Sequence, residues 1–219
     1  MRSVHMRGEI AVKPPAHLLR NVRRAGLAFA AAAITAPAAA QGTGVETLVS
    51  TVCVACHGED GNSAVAMFPK IAGLQESYLV KQMRDFQSGR RRSDVMAPVV
   101  AALKPEDFQP LAAYYARLKL KPGEAAERRL VDLGKLVYFD GNEETGVPAC
   151  VGCHQGAGAG HLIYPRVGGQ HAVYVKQQLK NFASGERSND ANRFMRVVAK
   201  RMSEEEMDAV AAYLAGLGR

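Results

Sequence analysis

The chain has 219 residues and a formal net charge of +7, which suggests a nucleic-acid partner until the charges are placed along it. Residues 1–40 hold six Lys/Arg against one acid, and the remainder carries 22 basic and 20 acidic residues, so a basic nucleic-acid surface is excluded. Tryptophan is absent, aromatics make up 6%, and all four cysteines fall in two short motifs, leaving none for a disulfide framework.

Near the start of the chain a basic stretch, Arg20-Asn21-Val22-Arg23-Arg24, is followed by the apolar run Gly26 to Ala36 and then Pro37-Ala38-Ala39-Ala40-Gln41. A basic region, a short apolar region and a small-residue site predict a secretory signal peptide over 1–40, cleaved near Ala40, with Met1 or Met6 as the start. The apolar run of eleven residues is too short to span a bilayer, so at most peripheral membrane association is expected.

Cys53-Val54-Ala55-Cys56-His57 and Cys150-Val151-Gly152-Cys153-His154 are two C-x-x-C-H pentapeptides. This motif attaches c-type haem: two thiols bond to the vinyl groups and the histidine ligates iron. On one helical turn, residues three and four apart share a face, so both sulfurs and the imidazole meet one porphyrin edge. Two covalently bound haems are therefore expected, with Cys53, Cys56, His57, Cys150, Cys153 and His154 as their anchors. Such haem is attached outside the bacterial cytoplasm, in agreement with export to the periplasm. A shared four-thiolate zinc site is disfavoured because the pairs lie 97 residues apart and each has its own histidine.

The motifs belong to an internal repeat. At an offset of 96, Pro69, Gly73, Tyr78, Gln82, Phe86, Ser88 and Gly89 match Pro165, Gly169, Tyr174, Gln178, Phe182, Ser184 and Gly185. At 99, Met96, Val99, Ala112, Ala113, Tyr114 and Leu118 match Met195, Val198, Ala211, Ala212, Tyr213 and Leu217. Two tandem domains follow, 41–119 and 120–219, divided near Lys119-Leu120-Lys121-Pro122-Gly123-Glu124, where proline and glycine break a helix. Each domain reads as all-α. Helices are predicted from Val45 to Ser50 and Arg128 to Tyr138, each leading into a motif, then Ser77 to Ser88 and Ala172 to Ser184. A last helix follows Lys104-Pro105-Glu106-Asp107 in the first copy, and Ser203 caps its counterpart in the second.

An electron-transfer haem needs a second axial ligand. Met67, Met83, Met202 and Met207 align with plain hydrophobes and read as core residues, whereas Met96 and Met195 are methionine in both copies. These two, 39 and 41 residues beyond His57 and His154 and placed in loops, are the candidate ligands. His161 and His171 lack counterparts and read as surface or interface residues. His/Met ligation raises the reduction potential relative to bis-histidine and closes the iron on both faces, favouring electron transfer over catalysis.

With these residues placed, the chain closely resembles the dihaem cytochrome c4 family, through His57-Gly58-Glu59-Asp60-Gly61-Asn62-Ser63, Phe68-Pro69-Lys70-Ile71-Ala72-Gly73 and Tyr164-Pro165-Arg166-Val167-Gly168-Gly169-Gln170-His171. The resemblance implies two class I cytochrome c domains packed together, each wrapped around one haem. It also implies that the carbonyls of Pro69 and Pro165 accept hydrogen bonds from the proximal imidazoles. The function it implies is a non-enzymatic periplasmic carrier in a respiratory chain, taking electrons from a donor such as a quinol:cytochrome c oxidoreductase to a haem–copper terminal oxidase or another acceptor. The alternatives are the cytochrome subunit of a periplasmic dehydrogenase and a dihaem peroxidase-like enzyme, which would need one haem to open a coordination position. Two features depart from the family pattern: the glycine-rich run at 156–160, expected to be mobile, and Arg90-Arg91-Arg92, read as a solvated face or a docking patch for an acidic partner.

Overall fold

The computed structural model describes residues 44–123, 127–161 and 163–217, and the expected signal segment lies outside them. No strand occurs among the described residues, only isolated bridges at Asn142–Val147 and His161–Tyr164. Nor is any described helix long and apolar enough to cross a membrane. The N-terminal half contains α1 (Val45–Leu48), α2 (Val54–His57), α3 (Glu76–Gln87), α4 (Met96–Ala101) and α5 (Phe108–Ala116). The C-terminal half contains α6 (Arg128–Asp140), α7 (Val151–His154), α8 (Ala172–Ser184), α9 (Phe194–Arg201) and α10 (Glu204–Ala215). A π-helical stretch, Val49–Cys53, joins α1 to α2, so the chain winds into the first motif in one rod.

Local sequence explains these elements. In α3, Leu79, Val80 and Phe86 are buried, with Tyr78 and Met83 packed beside them at helical spacing. The equivalent α8 buries Val175, Leu179 and Phe182, and ends at Gly185, which takes the left-handed conformation (φ 83°). In α10, the Ser203 hydroxyl accepts from the Glu206 amide at 3.1 Å and the Ser203 amide donates to the Glu206 carboxylate at 2.7 Å. That reciprocal cap, with Glu204, Glu205 and Glu206 in the first turn, fixes the start of the helix.

Each half has its own core. Val49, Leu74, Leu79, Val80, Leu103, Phe108, Leu111, Ala112 and Tyr115 form one; Val137, Tyr138, Val147, Leu179, Phe182, Met202, Met207, Val210 and Leu214 are among those forming the other. Met202 and Met207 are thus core residues, as their hydrophobic counterparts suggested. Met67 is not: it is 72% exposed and its counterpart Ile163 is 64% exposed. Both stand on the loop that follows a motif, beyond the reach of either helical core.

The halves meet through reciprocal polar contacts. Arg91 donates to Tyr174 Oη and Gln178 Oε1, both at 2.9 Å, while Arg187 donates to Tyr78 Oη at 3.0 Å and to Gln82 Oε1 at 3.4 Å. Gln170 takes both backbone groups of Lys70, accepting at 2.8 Å and donating at 2.9 Å. Gln75 accepts from the Arg166 amide at 3.1 Å and donates to the Tyr164 carbonyl at 3.3 Å. His171 Nε2 lies 2.9 Å from the Ser63 carbonyl, which makes it an interface residue as expected.

Arg91 departs from the solvated-face reading of its run. It is 8% exposed and matches the equally buried Arg187 at an offset of 96, whereas Arg90 and Arg92 are exposed. Arg90 instead pairs with Asp85 at 2.9 Å.

Candidate haem-attachment sites

Each site is built by one motif and the loop that returns to it. After His57 the chain turns at Gly58 (φ 73°) and then reaches Gly61, whose carbonyl accepts from the Ile71 and Ala72 amides at 2.8 and 3.0 Å. After His154, Gly158 accepts from Val167 and Gly168 at 2.8 and 3.0 Å. Glycine is required at this crossing. A Cβ on Gly61 would lie 2.8 Å from the Ala72 nitrogen, and one on Gly158 would lie 2.5 Å from the Gly168 nitrogen.

The crossing aims one carbonyl at each imidazole. His57 Nδ1 is 2.9 Å from the Pro69 carbonyl, and His154 Nδ1 is 2.9 Å from the Pro165 carbonyl. A carbonyl only accepts, so each Nδ1 carries the proton and each Nε2 keeps its lone pair. Burial pulls both imidazoles below their ordinary pKa, and the proline carbonyls oppose that shift. The rings are therefore neutral, as a ligating nitrogen must be.

The four cysteines are free thiols and none is fully buried. Burial pushes the Cys150 thiol up to about 11 and also raises Cys53, beside which the buried Tyr115 hydroxyl sits. Tyr138 Oη donates to the Gln155 carbonyl at 2.5 Å and braces the turn after the second motif. The glycine-rich run beyond it forms a short 3-10 turn, Gly156–Gly158, tied by Gly160 N to the His154 carbonyl at 2.9 Å.

Met96 and Met195 stand within helices rather than loops. Met96 opens α4, where its amide donates to Ser93 Oγ at 3.1 Å, and Met195 is the second residue of α9, half-buried against the C-terminal core. A short helix holds its residues more rigidly than a loop, and the six- and eight-residue lengths gave too little apolar periodicity to foresee it.

The donor set fits haem: in each half, two accessible thiols, a neutral imidazole with its lone pair free, and a thioether further along the chain. Each half also turns apolar side chains outward at matching positions, Met67 and Ile163 after the motifs and Val95 and Phe194 beside the methionines. A flat apolar macrocycle needs such a lining.

Two copies of a helical unit, each with a C-x-x-C-H motif and a carbonyl-pinned histidine, define a tandem c-type cytochrome. The family model for cytochrome c matches residues 43–119 and again 131–218. Cytochrome c4 of Thiocapsa roseopersicina is 45% identical over 177 residues, covering 80% of this chain and 91% of the relative. The crystal structure of reduced recombinant cytochrome c4 from Pseudomonas stutzeri superposes with a TM-score of 0.75 at 37% identity, over 79% of this chain and 96% of that one. A thiosulfate dehydrogenase electron acceptor of Stutzerimonas stutzeri is 37% identical over 175 residues, covering 76% of this chain and 79% of that protein. The chain belongs to the cytochrome c4 family. It is an electron carrier rather than an enzyme.

Proposed function

We propose that the chain is a periplasmic two-haem electron shuttle, exported by the signal peptide at 1–40 and organised as domains 41–119 and 120–219. One haem is anchored at Cys53 and Cys56 and ligated by His57 and Met96; the other is anchored at Cys150 and Cys153 and ligated by His154 and Met195. Each bound haem supplies a one-electron couple. The protein's part is to orient the ligands, exclude water and hold the two groups in one body. The observation that supports this reading is the matched 2.9 Å contact from Pro69 and Pro165 to the two Nδ1 atoms, which leaves both Nε2 lone pairs available to ligate iron. Met96 and Met195, as the second ligands, would raise the potentials and leave no position for substrate.

The donor in this reading is a quinol:cytochrome c oxidoreductase and the acceptor a haem–copper terminal oxidase. Likeness to a thiosulfate dehydrogenase electron acceptor supports a second donor, a periplasmic dehydrogenase, with the same carrier chemistry. Spectroelectrochemical titration of the two-haem protein tests the site assignment. Met96→His and Met195→His should each abolish half of the methionine–iron charge-transfer band and lower one potential; a band untouched by either variant overturns the ligand set. Co-purification with a dehydrogenase would separate the two donors.

A further inference from the structure

We propose that Asp85, in the N-terminal half, is a positioning residue for Met195 in the C-terminal half, acting through Asn189. The inference rests on the reading of Met195 as an axial ligand.

The two methionine segments start from equivalent anchors and then diverge. Arg91 stands five residues before Met96, and Arg187 stands eight before Met195, so the C-terminal segment is longer by three. The longer segment grips the other half. Asn189 Nδ2 donates to Asp85 Oδ2 at 2.7 Å and to Gln82 Oε1 at 3.0 Å, and the Asn189 carbonyl accepts from Lys81 Nζ at 2.7 Å. Asp85 is a firm anchor: it is 1% exposed and is also paired with Lys81 and Arg90. The residue matching it at an offset of 96 is Asn181, which carries no charge.

Beyond the grip, the backbone is strained. Asn192 (φ 51°) and Arg193 (φ 63°) are consecutive left-handed residues, and Arg193 is the N-cap of the helix on which Met195 is second. A non-glycine residue in this region is held there by its surroundings. Here one end of the segment is fixed across the interface at Asn189 and the other by α9 against its own core. No residue between Arg91 and Met96 has a positive φ. Releasing Asn189 lets the bend relax, and the first turn of α9, with Met195 on it, moves away from its set position. The N-terminal half thereby holds the methionine of the C-terminal haem, with no matching grip in the other direction.

The test uses the two-haem protein with Asn189→Ala, Asp85→Ala and the conservative Asp85→Asn. Potentials, the methionine–iron charge-transfer band and imidazole binding to the ferric form are read, and Met96→His and Met195→His backgrounds assign each signal to its haem. Asn189→Ala and Asp85→Ala are expected to weaken the band of the C-terminal haem and lower its potential. Imidazole should bind that haem roughly tenfold more tightly, the equivalent of one relaxed left-handed residue. The N-terminal haem should not change, and Asp85→Asn, which keeps an acceptor for Asn189, should retain most of the wild-type signature. Unchanged spectra and potentials overturn the proposal, as do equal shifts at both haems, which would mark general loosening of the interface. If Met195→His itself leaves the band and both potentials intact, the ligand reading has failed; if it shifts one haem while the Asn189 and Asp85 variants do not, only the positioning role has failed.

Discussion

The two halves keep the same histidine-holding contacts but carry backbone strain very differently. Both pin the histidine at 2.9 Å through a proline carbonyl, and both cross the return loop over a glycine. Yet all four non-glycine residues with positive φ among the described residues, Gln155, Ala157, Asn192 and Arg193, lie in the C-terminal half. At the turn after the first motif the chain uses Gly58, whereas after the second it uses Gln155. The repeat has conserved what fixes the imidazole and diverged in what surrounds it. The strain falls on the turn after His154 and on the stretch before Met195, both in the C-terminal half.

The C-terminal half also contains the longer lead helix, and the largest effect is expected there. Gly134 of α6 touches α10 so closely that a Cβ would lie 1.9 Å from the Ala209 carbonyl oxygen and 2.9 Å from Tyr213 Cβ. Gly134→Ala should force these helices apart at a cost of about 3 kcal/mol. A loss of that size lowers the melting temperature by roughly 10 °C, visible by circular dichroism. The loss should be accompanied by weakening of the Met195 signal and not the Met96 signal, because the α6–α10 contact belongs to one core. An unchanged melting temperature would show that the helices can separate without penalty.

How much of this could be read from the sequence differs by feature. The two motifs and the register of the repeat are explicit in the residues, and α8 spans Ala172–Ser184 as its apolar spacing predicts. Ser203 and Glu206 spell out their own cap. The π-helical stretch at Val49–Cys53 was illegible because nothing in Val-Ser-Thr-Val-Cys distinguishes it from an α-turn. Arg91 was misread for a different reason: two neighbouring arginines made a charge run, and the run concealed the match to Arg187 that the offset of 96 provided. Gln75, Gln82, Asn189 and Asp85 act across the interface, and a polar residue's partner in another domain leaves no periodic trace. Left-handed Gln155 and Arg193 are positions where side-chain identity argues against the conformation, and tertiary contacts decide it.

Exchanging the turn residues sharpens the comparison directly. Gln155 has φ 61° and ψ 171°, a region that glycine alone occupies without strain, and Gly58 has φ 73° and ψ 158°. Gln155→Gly keeps the backbone carbonyl to which Tyr138 donates and removes the strain, so it should stabilise the protein by about 1.5 kcal/mol. Gly58→Gln should lose a similar amount. Denaturant midpoints measured by the absorbance of the haems would report both. Shifts of the same sign would mean that the left-handed turn carries no cost at Gln155.

The smallest effect is acid sensitivity at the interface, where the Asp85 carboxylate accepts from Asn189 of the other half. Burial alone would raise the pKa of Asp85, but Lys81, Asn189 and Arg90 together hold the carboxyl below the ordinary range. A group whose folded pKa is depressed stabilises the fold fully above its unfolded value, about 4, and that contribution is lost as the pH falls through the folded value. Wild-type stability should therefore fall by about 1 kcal/mol more than that of Asp85→Asn as the pH drops below about 4. Asp85→Asn should be the less stable protein at pH 7, where the ionised carboxylate makes its full contribution. Parallel curves for the two proteins from pH 7 down to 3 would show that Asp85 does not depend on its charge. The Asn181 position, already uncharged, gives the internal reference: Asn181→Asp should introduce a new acid-sensitive step only if Lys81 and Arg90 have equivalents there, and the matching residues at an offset of 96 are Gln177 and Glu186. With Gln177 and Glu186 at the positions of the two cations, a carboxylate at 181 is expected to destabilise at neutral pH and to recover as it is protonated, the reverse of the slope at Asp85.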